Sequence, residues 1–317
     1  MAATDLLDRR LVFVTGKGGV GKTSVAAALG QLAASRGKRT LLCEVDAKGD
    51  VAGAFETGPT EFRERDIAPS LWAMSMDTEA SLKEYLTLQL KLPLLSRIGP
   101  LARTFDFVAN AAPGVKEILV VGKLAYEVRE GHYDLVVVDA PASGHIVGQL
   151  AAPQAIQNLV QVGRVRHQTG WMLDILSDPA QTGVVIVATP EEMPVNETID
   201  LSVRLREETS VDLAAVVVNR VLPELFTRGE EEVFRNLREP AGATALSSAV
   251  GAPVEPLLEG AELAVRMRRT RAEHLGELRE GLPAGVELLY VPELFQRTHG
   301  VRATRQIAES LGAELGY

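Results

Sequence analysis

A chain of 317 residues that is 46% hydrophobic and 24% charged is long enough to bury a large core, and fits one α/β domain carrying an insertion. Its formal net charge of -9 argues against a general nucleic-acid coat, and no run of about eighteen or more apolar residues is present to cross a bilayer. The first ten residues carry acids where a secretory signal would carry cations, so the protein is expected to be cytoplasmic and not an integral membrane protein.

In chain order, the apolar run Leu11-Val12-Phe13-Val14 predicts a first strand, and Gly16-Lys17-Gly18-Gly19-Val20-Gly21-Lys22-Thr23-Ser24 leads from it into a helix over about 22–36. The spacing of Gly16, Gly21, Lys22 and Thr23 fits the phosphate-binding loop G-x-x-x-x-G-K-[ST]. In that loop backbone N–H groups cradle phosphate oxygens, the lysine reaches the terminal phosphates and the hydroxyl binds Mg²⁺. Phosphate charge then sits at a helix N-terminus, where the dipole favours it. Residues 39–45 read as a second strand, with the lone Cys43 a small buried strand residue; one cysteine makes neither a disulfide framework nor a cysteine-rich metal site. Asp46 follows that strand, where an acid either joins the Mg²⁺ shell through water or caps a helix.

Residues 48–69 read as a polar, glycine-containing segment and 71–76 as a third strand. From Thr78 the pattern turns helical and leucine-rich (Leu82, Tyr85, Leu86, Leu88, Leu90, Leu92, Leu94, Leu95), broken at Pro93, Pro100 and Pro113-Gly114. This is too long for a simple crossover and predicts an inserted helical subdomain over about 78–131, whose apolar residues form a core or line a groove for an apolar client. Asp134-Leu135-Val136-Val137-Val138-Asp139 is a buried parallel strand ending in an acid, which places Asp139 to hold the metal with Thr23. The small residues Ala140-Pro141-Ala142-Ser143-Gly144-His145 behind it read as a loop that senses the γ-phosphate, with His145 a helix-start residue before a chemical base. A second helical insert covers about 147–176.

Strands over 183–188 and 213–218 flank a helix over about 195–208, and the second of them ends in Asn219-Arg220. An asparagine there either makes a turn or pairs with the edge of an adenine. A charged helical outer layer over about 230–280, a last strand over 286–291 and a helix near 301–311 complete the chain. That last helix is too weakly amphipathic to target a membrane.

The second lysine, Lys17, gives the loop the form Lys-Gly-Gly-Val-Gly-Lys-Thr, which resembles the deviant loop of MinD, ParA, the nitrogenase iron protein and the arsenite-pump ATPase ArsA. The resemblance implies that Lys17 crosses a dimer interface to the nucleotide of the facing subunit, lending charge stabilisation as an arginine finger does. Other pieces are similar to the ArsA branch, which includes arsenite-pump ATPases and targeting ATPases for tail-anchored membrane proteins. Asp139 to His145 is similar to its D-T-A-P-T-G-H, Pro113-Gly114-Val115-Lys116-Glu117 to its P-G-x-x-E, and Thr189-Pro190-Glu191 also fits. The likeness covers nearly the whole of 1–317. It implies a P-loop NTPase with a mostly parallel central sheet flanked by helices. It also implies ATP and Mg²⁺ as cofactors, an adenine contact at Asn219-Arg220, and a loop at Pro292-Glu293 closing over the base.

Three departures bear on function. The family's first switch reads about D-P-A-H-[SN]-L-S-D-A-F, and against it Asp46 to Phe55 has Gly53 where the acid that positions the attacking water would stand; Asp50 lies one helical turn earlier. Cys43 alone cannot make the soft trigonal site of an arsenite pump, and the C-x-x-C zinc pair that clasps the eukaryotic targeting dimers is absent. The leading expectation is therefore an ATPase, slow if Gly53 matters, that dimerises with itself or a homologue around Mg-ATP and switches a helical region for an apolar or membrane-protein client. The alternatives are a weakly active regulatory or scaffold subunit paired with an active homologue, and a ParA/MinD-like positioning ATPase, against which the acidic charge counts. A nitrogenase-type reductase fails for want of cluster cysteines.

Overall fold

The computed structural model describes residues 3–46, 49–88, 114–160, 162–295 and 300–317. Strands β1 (Leu11–Gly16), β2 (Thr40–Glu44), β3 (Arg65–Ala68), β4 (Leu71–Ser75), β5 (Leu135–Asp139), β6 (Thr182–Ala188), β7 (Leu213–Val221) and β8 (Glu287–Pro292) form one sheet in the order β3-β4-β2-β5-β1-β6-β7-β8. Every neighbouring pair is parallel except β3 with β4. This is the α/β fold expected of the sequence. Parallel strands need crossovers, and the helices that make them cover both faces of the sheet, so the inner strands read as unbroken apolar runs.

The two-residue period of a strand divides those runs between two cores. Val12, Val14, Leu42, Val137, Val185 and Val217 pack on one face against α1 (Lys22–Ser35) and the last helix, α11 (Val301–Glu314). Leu11, Phe13, Leu41, Val136, Val138 and Ile186 pack on the other face, under α4 (Val115–Glu130), α5 (Ser143–Leu159), α6 (Arg164–Ser177) and α7 (Glu192–Glu208). Phe13 and most of its neighbours are fully buried, and each such side chain contributes roughly 1.5–3 kcal/mol by leaving water.

Between β2 and β4 the expected polar segment contains α2 (Asp50–Ala54) and the edge strand β3, neither of which its composition signals. Helix α3 (Thr78–Leu88) begins the predicted inserted subdomain and α4 ends it; Leu90, Leu92, Leu94, Leu95, Pro93, Pro100 and Pro113 lie outside the described residues. In α4, Val120, Val121, Leu124 and Val128 are core, whereas Leu82, Ile118, Ile156 and Trp171 line a mostly apolar cavity of about 220 Å³ between α3, α4, α5 and α6. The apolar residues of this region thus divide between the core and a cavity wall. The expected charged outer layer is made by α8 (Arg228–Arg238) and α10 (Glu255–Gly281), and the helix between them, α9 (Pro240–Val250), carries no charged residue.

Candidate functional site

Residues 16–24 leave the carboxyl end of β1 at the centre of the sheet and enter α1, so the loop stands where ligands gather in an open α/β sheet. Two of its glycines have a steric reason. Gly16 has φ +143°, and a Cβ there would lie 2.2 Å from the Val187 carbonyl oxygen on β6; Gly21 has φ +94°, with a Cβ meeting Asn219 Nδ2 at 2.4 Å. Gly21 is also the N-cap of α1 and supplies no side-chain cap, which leaves the first-turn amides of that helix to a ligand. The Lys22 ammonium donates to the Lys17 carbonyl at 3.3 Å across the loop.

The expected metal ligand Asp139 ends β5, fully within the sheet. Its Oδ2 accepts the Thr23 hydroxyl at 2.6 Å, and Oδ1 is buried without a hydrogen-bond partner. Burial raises the Asp139 carboxyl to about 6, against the opposing hydrogen bond from Thr23 and the charge of Lys22; Glu44 and Asp50 push it further up. A buried carboxylate with an orphaned oxygen beside a hydroxyl and a phosphate-binding loop fits a hard divalent cation. Asp46 is exposed two residues beyond β2 and lines the same cleft, of about 580 Å³, as Lys22, Thr23, Gly53 and Asp139.

The segment expected to sense the γ-phosphate is tied to β1 by two hydrogen bonds. Thr15 Oγ1 donates to the Pro141 carbonyl at 2.7 Å and the Ala140 amide to Val14 at 3.0 Å. Helix α5 starts at Ser143, so the irregular part of the predicted loop is only 140–142, and His145 stands exposed in the first helical turn. A second, adjoining cavity of about 200 Å³ shares Gly21, Ser24, Ala54 and Gly300 with the first and is lined also by Asn219, Arg220, Pro292 and Glu293. All four residues expected at the base are therefore together. Asn219 Nδ2 donates to the Val20 carbonyl at 2.8 Å, and Oδ1 accepts the Arg220 amide. The turn reading and a place at the cavity wall coexist, with Arg220 at φ +60°.

Two acids of the site belong to none of the sequence motifs. Glu44 is buried at the end of β2, in register with Asp139. Its Oε1 accepts the amide of Asp50, the first residue of α2, at 3.0 Å, and its Oε2 accepts the Ser75 hydroxyl at 3.2 Å. A charge inside an apolar strand run was the available signal. Glu197, on α7, holds the Lys17 ammonium at 3.0 Å with Oε2 and accepts the Ser143 hydroxyl with Oε1. Its carboxyl is held low: burial alone would raise it, but Ser143 and Lys17 outweigh that.

The sequence profile of the anion-transporting ATPase family, ArsA, matches residues 9–174 and 161–239. The chain belongs to this family. It is 32% identical over 225 residues to the ATPase BagA of Mycobacterium tuberculosis, covering 68% of this chain and 66% of that protein. A putative arsenical pump-driving ATPase of Halobacterium salinarum is 26% identical over 253 residues, 73% of this chain and 38% of the relative. An ATPase ASNA1 homolog of Entamoeba dispar is 27% identical over 254 residues, 67% and 76% respectively. The chain thus spans just under two thirds of the mycobacterial relative it matches. No helix among the described residues is long and apolar enough to cross a membrane.

Proposed function

We propose that this protein binds Mg-ATP in the two adjoining cavities, hydrolyses it, and dimerises around it. The observation that carries the reading is the Thr23–Asp139 pair in the wall of the cleft, with the other Asp139 oxygen buried and without a partner. Lys22 and the amides of 16–24 would hold the phosphates, Thr23 and Asp139 the metal, with Asp46 near it, and Asn219, Arg220, Pro292 and Glu293 the base. Bound there, Mg²⁺ would neutralise charge developing on the phosphate oxygens. Lys17 would serve the nucleotide of a facing subunit, a second copy or a homologue, in the cytoplasm. Support for an apolar or membrane-protein client comes from the cavity between α3 and α6, which α5 joins to the segment behind Asp139.

A second reading, a slow subunit that depends on an active homologue, is favoured by Gly53. It sits in the cleft wall with no atom within 4 Å of where a Cβ would be, so no carboxylate projects from that position. Single-turnover hydrolysis by the purified chain, with mass from light scattering in ADP and in a γ-phosphate mimic, separates the two. Hydrolysis with a nucleotide-driven dimer that Lys17→Ala abolishes supports the first. Tight ATP binding with neither hydrolysis nor a dimer overturns it in favour of the second.

A further inference from the structure

We infer that Glu197 is a positioning residue that keeps Lys17 folded onto its own subunit and couples its release to the switch segment. The inference rests on the proposed role of Lys17 at a facing nucleotide, and it adds a gate to that role. Three observations carry it. The Lys17 ammonium lies 3.0 Å from Glu197 Oε2, within the same chain. The other oxygen of that carboxylate accepts the Ser143 hydroxyl, and Ser143 is the first residue of α5, directly behind the 140–142 loop that follows Asp139. Glu197 itself belongs to neither loop: it sits on α7, whose Val195, Thr198 and Leu201 are buried against the sheet, so the carboxylate is mounted on a fixed support.

One carboxylate therefore holds the phosphate loop and the switch together while Lys17 faces its own subunit. A lysine so held cannot reach across an interface without losing this partner. Movement of Ser143 removes one of the two donors that fix the Glu197 carboxylate, which loosens its grip on Lys17. Rearrangement of the switch and release of Lys17 thus become one event. Both side chains of the ion pair are about one-third exposed, at 29% and 35%, so the contact is weak enough to open in use. An exposed pair of this kind holds a side chain by up to about fivefold, and a symmetric dimer opens two of them.

The test uses the full chain. Amine acetylation of Lys17 without nucleotide, read by mass spectrometry, reports the latch, and light scattering in Mg²⁺ with a non-hydrolysable ATP analogue reports the dimer. Glu197→Gln is expected to raise Lys17 labelling and to lower the dimer dissociation constant by up to about 25-fold, up to fivefold for each subunit. Glu197→Asp, which keeps the charge, should restore most of the wild-type behaviour, as loss of a merely structural contact would not. Unchanged Lys17 labelling in Glu197→Gln overturns the latch, and raised labelling with an unchanged dissociation constant overturns the gate. Lys17→Ala is the control for the underlying reading: if it dimerises like the wild type, the role of Lys17 across the interface fails, and the gate with it, even where the labelling result shows the contact.

Discussion

Replacing Asp139 by asparagine tests the claim that this carboxylate is maintained for a cation at a cost to the empty fold. Burial lifts its carboxyl from an ordinary 3.8 to about 6. Because the folded value lies above the unfolded one, the fold binds the proton more tightly than the unfolded chain does. The contribution of this one group to stability is therefore greatest below about pH 4, falls as pH rises to about 6, and stays at the lower level above that. At about 1.4 kcal/mol per pH unit, the ionised group costs the metal-free protein about 3 kcal/mol near neutrality. The Asp139→Asn variant keeps an acceptor for the Thr23 hydroxyl but puts an amide where Oδ1 has no partner, which returns about 1 kcal/mol of that. The net gain of about 2 kcal/mol should raise the melting temperature of the variant by about 3 °C near pH 7.5 in chelator without nucleotide; the gap should close near about pH 4.5 and change sign below it, where the wild-type carboxyl is protonated and only the amide's cost of about 1 kcal/mol remains. Adding Mg²⁺ and an ATP analogue should stabilise the wild type and leave the variant nearly where it was. A variant no more stable than the wild type at neutral pH, or a gap that does not depend on pH, would refute the argument.

Other outcomes follow from the same geometry. Lys22→Ala should weaken ATP binding by about a hundredfold in a fluorescent-nucleotide titration, because the variant loses a charge-assisted phosphate contact. Gly16→Ala should destabilise the fold by about 3 kcal/mol or more in a denaturant melt, since its Cβ would stand 2.2 Å from a β6 carbonyl oxygen that cannot retreat without breaking the sheet. Gly53→Asp should raise the single-turnover rate by about tenfold or more if the missing acid limits hydrolysis, and the open space at Gly53 means that a failure cannot be blamed on a clash. Lys123→Met should cost about 3 kcal/mol near pH 7, because it removes the ammonium that Glu127, 3% exposed, holds at 2.7 Å and leaves that buried carboxylate with the half-exposed His132 ring as its partner. Urea melts of the two proteins read the loss.

The sequence revealed the centre of the sheet better than its edge, for a reason visible in particular residues. β1 and β5 are covered on both faces, so they read as unbroken runs, and the glycines of the phosphate loop report a backbone path that other residues cannot follow. β3 has two exposed residues, Arg65 and Asp66, and exists only because β4 offers it an antiparallel edge; nothing local demands it. α2 is five residues long, contains Gly53, and is held from outside by the Glu44 carboxylate at its first amide and by the Thr304 hydroxyl on Ala54. Propensity is silent on both elements because distant partners decide them.

Glu197 marks the deeper limit. It sits 180 residues from Lys17 and 54 from Ser143, in an amphipathic helix where a glutamate reads as solvent-facing. What joins the three is strand order. Lys17 follows β1, Ser143 follows β5, and Glu197 lies in the helix that follows β6, while the sheet places β5 and β6 on either side of β1. Three carboxyl ends of strands adjacent in space but far apart in sequence thus deliver a lysine, a hydroxyl and a carboxylate to one point. A motif specifies the backbone of its own segment; the partner of a side chain at the end of a parallel strand is set by which strands lie beside it, and the right-handed crossover rule alone does not fix that order. Any residue that acts between the loops of this cleft has to be found from the sheet.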